Sequence, residues 1–346
     1  MSTPSRSILF AGRYAQVYLN PLRQVLAKGW QFDIWETGDG PAALEERAAR
    51  AEIIIGSSEW AREHGGTRAK ASFESARKLR LVVIPFSGMD WLDPAWLPQQ
   101  CVVCNLNSGI DPIAEYVLCA MLSHEVRLHE MDAELRAQRW TWGGGTVMGR
   151  KHGELQGKTI GFVGFGRIAK RVAELTFAFR MRAVAVSRTP STSPHVARWG
   201  ALEALDELLQ SSDYVLVTVP GGRETENLIG AKEIARMKSS AVLINVARGS
   251  VVNEKALYDA LRERRIGGAV IDTWYRYPTQ EHPYGAPSQF DFAGLNNVVM
   301  TPHAAGWTDA LETRRIRTVL GQVSAYLHNE PLSDVVYDTR SAIENH

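Results

Sequence analysis

The run Thr159-Ile-Gly-Phe-Val-Gly-Phe-Gly-Arg-Ile-Ala169 reads as a short strand that empties into Gly164-Phe-Gly-Arg-Ile-Ala169, with the apolar positions of a helix following at Val172, Ala173 and Leu175. This is the pattern G-x-G-x-x-A. Gly164 permits the tight turn, Gly166 lets the backbone approach a pyrophosphate, and Ala169 keeps the helix close to the sheet. Arg167 and Ile168 fall in the first helical turn, whose N–H groups and positive dipole end favour an anion. A glycine turn alone is weak evidence, since turns need glycine anyway. Its weight comes from the strand before it, the helix after it and a second strand on schedule at 183–187. The stretch predicts a dinucleotide-binding α/β unit.

The end of that second strand bears on the flavour of cofactor. An Asp or Glu about 20 residues past the glycine loop would bind the adenosine ribose 2′-OH. Here Ala183-Val-Ala-Val186 ends in Ser187-Arg188-Thr189. With no carboxylate there to repel a 2′-phosphate, Arg188 can pair with one while Ser187 and Thr189 donate hydrogen bonds. The alternative is a solvated surface arginine. NADP(H) is favoured, with NAD(H) as the second candidate.

Working outward, Val- and Ile-rich runs bounded by Gly, Asp and Pro recur at 159–163, 183–187, 214–219, 241–245, 268–271 and 297–301, with helical patterns between them. An earlier set runs at 8–10, 32–35, 52–56, 81–85 and 102–105, with helical stretches at 16–27 and 42–51. Strand–helix alternation at this spacing predicts two doubly wound parallel sheets. Between the sets, 112–137 reads as one long helix, apolar first and polar later, followed by a Gly-rich break at Gly143-Gly-Gly145. Such a change of character suits a helix that bridges domains or packs on a partner chain, or one whose second half is solvated. A last amphipathic helix, 308–328, stops at Asn329-Glu-Pro331.

Composition narrows the class further. A chain of 346 residues makes two domains the prior, and 45% hydrophobic residues supply two cores. Thirty-nine Lys and Arg against 38 Asp and Glu leave a net charge of +1, so neither a nucleic-acid face nor a polybasic membrane patch is expected. No apolar run approaches the roughly 20 residues of a membrane span, and the run at 8–11 is too short for a signal-peptide core. Three cysteines cannot frame the fold with disulfides, which suits a cytoplasmic protein. Cys101 and Cys104 lack the second half of a zinc site, and residues three apart on a strand face opposite ways, so no metal is expected.

Four further segments carry a family resemblance: Pro220-Gly-Gly-Arg-Glu-Thr225, Leu243-Ile-Asn-Val-Ala-Arg-Gly-Ser-Val251, Gly267-Gly-Ala-Val-Ile-Asp272 and Thr301-Pro-His-Ala-Ala-Gly-Trp307. With the glycine loop, their order and spacing resemble the D-isomer-specific 2-hydroxyacid dehydrogenases, a family that includes glyoxylate and hydroxypyruvate reductases, phosphoglycerate dehydrogenase and formate dehydrogenase. Ser87-Gly-Met-Asp90 resembles the family's substrate-carboxylate loop, and Ile113-Ala-Glu-Tyr116 the start of its inter-domain helix. The resemblance implies a flavodoxin-like substrate domain made from residues 1–108 and 309–346, with a Rossmann cofactor domain, 109–308, inserted into it. It implies an active site in the cleft between them and a homodimer built largely on the cofactor domains.

The resemblance also implies roles. Arg248 clamps the substrate carboxylate and polarises the carbonyl, as a permanent charge in a rigid fork suits. His303 is the acid/base that gives a proton to the carbonyl oxygen as hydride arrives. Ser87 and Gly88 offer backbone N–H groups to the substrate carboxylate. Asp272, with backbone groups at Val246 and Ala247, contacts the nicotinamide amide. Pro220 and Thr225 lie beside the adenosine, and Gly306 joins the cofactor contacts. The implied activity is NADPH-dependent reduction of a small 2-oxo acid to the D-2-hydroxy acid. The alternatives are a family oxidoreductase with an atypical substrate and a non-catalytic NADP(H)-binding redox sensor. Retention of both Arg248 and His303 argues against the sensor, because binding cofactor requires neither.

The pattern breaks at one place. The family usually carries a Glu, paired with the catalytic His, five residues after the strand's aspartate; Asp272-Thr-Trp-Tyr-Arg-Tyr-Pro278 puts Tyr277 there, and Glu281 lies too far along. Formate dehydrogenase has an amide at this position, so hydride chemistry survives without the carboxylate. Tyr277 has three candidate roles: acid/base partner, substrate contact, or filler. Trp91, Trp140, Trp142, Trp274, Tyr275, Tyr277 and Trp307 gather near the inferred cleft. They either line a site for a larger or aromatic oxo acid, or pack the core and the dimer.

Overall fold

The computed structural model describes residues 6–26, 28–61, 66–143, 148–191, 193–278 and 283–340. It divides into two compact units, Met1–Gly109 with Thr308–His346, and Ile110–Trp307. The first unit begins with β1 (Arg6–Ala11), β2 (Trp30–Trp35), β3 (Ile53–Gly56), β4 (Leu81–Ile84) and β5 (Val102–Asn105). The second holds β6 (Thr159–Val163), β7 (Arg182–Val186), β8 (Arg198–Gly200), β9 (Tyr214–Val217), β10 (Val242–Asn245), β11 (Gly268–Ile271) and β12 (Val298–Met300). The chain returns to the first unit with helix Asp309–Leu327 and β13 (Val335–Asp338).

In the first unit the sheet order is β13-β5-β4-β3-β1-β2, parallel except for β13, which runs antiparallel to β5 with a register irregularity. Without that edge strand it is the flavodoxin-like order 2-1-3-4-5. The second sheet is β12-β11-β10-β9-β6-β7-β8, parallel throughout, which contains the Rossmann reversal beside its first strand. Both are doubly wound. The runs Ile53–Gly56, Leu81–Ile84, Val242–Asn245 and Gly268–Ile271 are buried at every position, as strands covered on both faces must be. Alternate residues feed separate cores: Leu9, Ile54 and Val82 pack on one face of the first sheet, Ile8, Ile53 and Leu81 on the other. Cys101 and Cys104 likewise fall on opposite faces.

The structure revises several expected boundaries. The helix expected over 112–137 is two, Ile110–Val126 and Leu128–Arg136, broken where Arg127 adopts φ 56°. Its cause is burial of Glu125, whose carboxylate accepts hydrogen bonds from Tyr214 Oη and, at 2.9 Å, from Lys158 Nζ. The Glu125 carbonyl takes the Gly153 N–H at 3.0 Å, and a Cβ on Gly153 would stand 1.8 Å from Glu125 Oε2. These are tertiary contacts, invisible in a local pattern of good helix formers. The first helix begins as a 3-10 turn, Arg13–Tyr18, before Leu19–Val25. The short strands β8 and β13 were not anticipated. Gly144, Gly145 and Glu281 lie outside the described residues. Among the described residues, no helix is long and apolar enough to cross a membrane, and no group of three His, Cys, Asp or Glu is placed to hold a metal.

Candidate active site

In an open α/β sheet, ligands are handled beyond the carboxyl ends of the strands. Asn245, Ile271 and Met300 are register partners across β10, β11 and β12. The loops leaving those three strands are therefore neighbours, and they carry Arg248, Asp272 and His303.

Arg248 sits in a turn built by Asn245. The buried Asn245 side chain accepts the Ala247 N–H at 3.1 Å and donates to the Arg248 carbonyl at 2.9 Å. Arg248 Nη1 donates to the Ala247 carbonyl at 2.7 Å, and its side chain is half-buried. Two close approaches fix its stem and its backbone. A Cβ on Gly221 would meet Arg248 Cγ at 2.7 Å, and one on Gly249 would meet the Trp274 carbonyl oxygen at 2.4 Å. The Ala247 N–H and the Ala247 carbonyl are thus both engaged within the turn, and Val246 and Ala247 are buried.

His303 is exposed and held with φ 57° in the turn after β12. Left-handed backbone is costly for a side-chain-bearing residue and persists only when its surroundings over-determine it. Here Asp272 does so. Its carboxylate, 2% exposed, accepts from Thr301 Oγ1 at 2.6 Å, from the Ala304 N–H at 2.8 Å and from the Ala305 N–H at 3.1 Å. A carboxylate has about four acceptor positions, so three are spent on fixing the histidine's loop. Thr301 Oγ1 also pairs with Tyr116 Oη at 2.7 Å, and the Thr301 carbonyl accepts Trp274 Nε1 at 2.8 Å. Tyr277 Oη lies 2.8 Å from His303 Nδ1 and accepts the Trp274 N–H at 3.1 Å. Tyr277 thus touches the imidazole directly. A Cβ on Gly306 would rest on Ile113 at 3.4 Å, so the end of this loop lies along helix Ile110–Val126.

The glycine loop follows β6, between β9 and β7, where the strand order reverses. Gly164 has φ 90°, and a Cβ there would stand 2.8 Å from Val219 Cγ1. Thr218 Oγ1 donates to its carbonyl at 2.8 Å. Gly166, the residue before helix Arg167–Ala178, differs: a Cβ there would meet nothing within 4 Å. Open space beside Gly166, at the head of a twelve-residue helix whose first N–H groups have no intrahelical partner, fits a dinucleotide pyrophosphate. At the end of β7, Ser187 Oγ donates to the Thr189 carbonyl at 2.8 Å and accepts Trp199 Nε1 at 2.7 Å. Its proton is therefore committed within the turn. Arg188 is exposed and pairs with Glu224. Thr225 Oγ1 donates to the Pro220 carbonyl at 2.7 Å, which braces the loop after β9.

In the first unit, Ser87 and Gly88 follow β4; the Ser87 carbonyl accepts Asn105 Nδ2 at 2.9 Å and the Gly88 carbonyl accepts Trp91 Nε1 at 3.2 Å. The aromatic residues separate into two groups. Trp91 packs edge-on to Trp60, Trp274 and Tyr275 pack on Phe292, and Trp142 lies under the Arg150 guanidinium. Trp140, Tyr277 and Trp307 are exposed. Asn245, Thr301 and Glu224 were not singled out from sequence as site residues, although each lies inside a segment quoted for other reasons; Trp274 was named only among the aromatic residues near the inferred cleft.

A glycine-rich turn at a strand-order reversal, with a guanidinium and an imidazole at neighbouring strand ends, defines a dinucleotide-dependent oxidoreductase. The family model for the NAD binding domain of D-isomer specific 2-hydroxyacid dehydrogenases matches residues 118–305. The chain is 31% identical over 265 residues to a glyoxylate reductase of Thermococcus gammatolerans, covering 75% of this chain and 76% of that one. Its fold is similar to that of a D-isomer specific 2-hydroxyacid dehydrogenase from Xanthobacter autotrophicus solved with NADPH and MES, at TM-score 0.73 and 25% identity over 97% of this chain and 99% of that one. It is also similar to that of an NADPH-dependent glyoxylate/hydroxypyruvate reductase from Sinorhizobium meliloti solved with NADP and malonate, at TM-score 0.75 and 22% identity over 97% and 98%. The chain belongs to the D-isomer specific 2-hydroxyacid dehydrogenase family, NAD(P)-dependent oxidoreductases that act on CH–OH donors.

Proposed function

We propose that this protein reduces a small 2-oxo acid of the glyoxylate or hydroxypyruvate kind to the D-2-hydroxy acid, with NADPH as preferred reductant and NADH as the second. The observation that carries this is the shared scaffold of Arg248 and His303: Gly249 abuts Trp274, and Trp274 bonds to Thr301 and to the tyrosine that holds His303. When bound, the cofactor's nicotinamide supplies a hydride to the carbonyl carbon. Arg248 pairs with the substrate carboxylate and draws electron density from the carbonyl. His303 passes a proton to the carbonyl oxygen and takes it back in the reverse direction. Ser87 and Gly88 contribute backbone N–H groups to anion recognition. Gly164, Gly166 and the first turn at Arg167 and Ile168 take the pyrophosphate, and Arg188 with Thr189 takes the 2′-phosphate. Pro220 and Thr225 border the adenosine, while Val246, Ala247, Asp272 and Gly306 border the nicotinamide.

The preference for NADPH is supported by the absence of Asp and Glu from 187–189, and by relatives of the same fold solved with NADPH or NADP. A homodimer is supported by the exposed apolar side chains of Leu128, Leu135, Trp140 and Met148. Glyoxylate, hydroxypyruvate and phenylpyruvate offered with NADPH, read by loss of NADPH absorbance and by chiral analysis of the product, test the proposal. Turnover of at least one acid to the D product is expected. No turnover across a wider 2-oxo acid panel, despite tight NADPH binding, would favour the redox sensor.

A further inference from the structure

We propose that Glu224 sets the balance between NADP(H) and NAD(H): it supplies the ribose carboxylate that the end of β7 lacks, and it occupies Arg188 until a 2′-phosphate displaces it. The inference rests on the cofactor placement proposed above. Arg188 stands in the turn after β7, where a Rossmann site usually carries an acid. Glu224 belongs to the loop after β9, on the other side of β6 and its glycine turn. Arg188 Nη1 and Glu224 Oε2 are 2.5 Å apart, so a carboxylate stands beside the turn after β7, which has no acid of its own at 187–189.

Both members of the pair are open to water, at 76% and 77% exposure. A hydrated pair of this kind adds little, so opening it costs a ligand no more than about fivefold in affinity. A phosphate monoester brings nearly two negative charges and three acceptor oxygens, against one charge on the carboxylate, and meets a guanidinium bidentately. NADPH therefore wins Arg188, at the cost of separating it from Glu224 and leaving a carboxylate close to the phosphate. NADH brings a neutral 2′-OH, which donates to Glu224 with the ion pair intact. Ser187 does not arbitrate, because its proton is held by the Thr189 carbonyl. Arg223, exposed beside Glu224, adds positive charge for either cofactor.

The test is binding of NADPH and NADH to the full chain without oxo acid, by cofactor fluorescence, in wild type, Glu224→Gln and Arg188→Gln. Glu224→Gln should tighten NADPH by about three- to tenfold and weaken NADH several-fold, an effect that shrinks as salt screens it. Arg188→Gln should weaken NADPH at least about tenfold while NADH stays within about threefold. If Arg188→Gln weakens NADPH but Glu224→Gln shifts the NADPH-to-NADH ratio less than about twofold, the role of Glu224 is overturned and the cofactor placement stands. If Arg188→Gln leaves NADPH binding unchanged, the placement itself is wrong and the inference falls with it.

Discussion

The phenol oxygen of Tyr277 sits 2.8 Å from Nδ1 of His303, while the Trp274 N–H donates to that same oxygen at 3.1 Å. A neutral hydroxyl, positioned by the backbone, thus occupies the place for which the family resemblance implies a glutamate. It orients the imidazole as a carboxylate would, but adds no negative charge to favour the imidazolium.

In the proposed reaction, reduction consumes the proton on His303, so activity should fall as pH rises through the histidine's titration. Tyr277→Glu introduces a charge that favours the protonated ring, and the alkaline limb of the reductive pH profile should move upward by about one unit. Tyr277→Phe keeps the ring and removes the hydrogen bond, and kcat/KM should fall about tenfold. An unmoved limb in Tyr277→Glu would separate Tyr277 from the chemistry of His303.

Arg248→Lys preserves the charge and abolishes the planar fork. A point charge cannot meet a carboxylate bidentately, so kcat/KM for the oxo acid should drop about 10²–10³-fold. NADPH affinity, measured separately, should change less than about threefold. Equal losses in both measurements would place Arg248 in general folding of the strand end.

Asp272→Asn replaces one acceptor oxygen with a donor in a buried site where three donors converge. At least one of the Thr301, Ala304 or Ala305 contacts must fail, at about 1–3 kcal/mol. The left-handed turn at His303 then loses its brace. Urea unfolding should show the loss in stability, and kcat should fall with it; an active variant of unchanged midpoint would show that the turn holds without Asp272.

Acid sensitivity has an identifiable contributor at the opposite ends of the same strands. Burial works against the Asp213 carboxylate, but hydrogen bonds from Lys238 Nζ and the Thr159 N–H, each 2.8 Å, overcome it and hold the pKa below the ordinary carboxylate value. A depressed folded pKa gives stability that is present above the unfolded value of about 4 and is lost as pH falls through the folded one. Asp213→Asn should therefore cost about 1 kcal/mol near neutral pH, discounted for partial exposure, and nothing in strong acid. Urea midpoints of the two proteins against pH should converge below about pH 4; a constant gap would remove Asp213 from the titration.

Two kinds of information in this chain differ in how visible they are before folding. Strands covered on both faces show themselves as unbroken Val and Ile runs, and the phosphate turn as glycines at fixed spacing, because each is dictated by neighbours in sequence. Arg248 and His303 stand within three residues of a strand end, but only the family resemblance, not their local sequence, singled them out. The break at Arg127 was hidden because its cause, the bond from Tyr214 to Glu125, spans 89 positions. Asp272 was expected to face a ligand, yet most of its capacity goes to residues around 301–305, a duty its type does not announce. Glu224 lies in a quoted segment, but its ion pair with Arg188 depends on two loops meeting across the sheet. The three-residue edge strand β8 and the antiparallel β13 carry too few residues to show a period.

Helix Asp309–Leu327 places Val319 and Val323 against Ile8, Phe10, Ile53, Ile55, Leu81 and Val83, and β13 pairs with β5. As the chain leaves the ribosome, the middle of the sequence can complete its core while the beginning still waits for its cover. The oldest stretch of polypeptide is thus the last to be sealed. Until helix Asp309–Leu327 has been made, that side of the sheet rests only on the short cover that Ala15, Tyr18 and Leu22 provide, and the remainder of its greasy surface is open to aggregation.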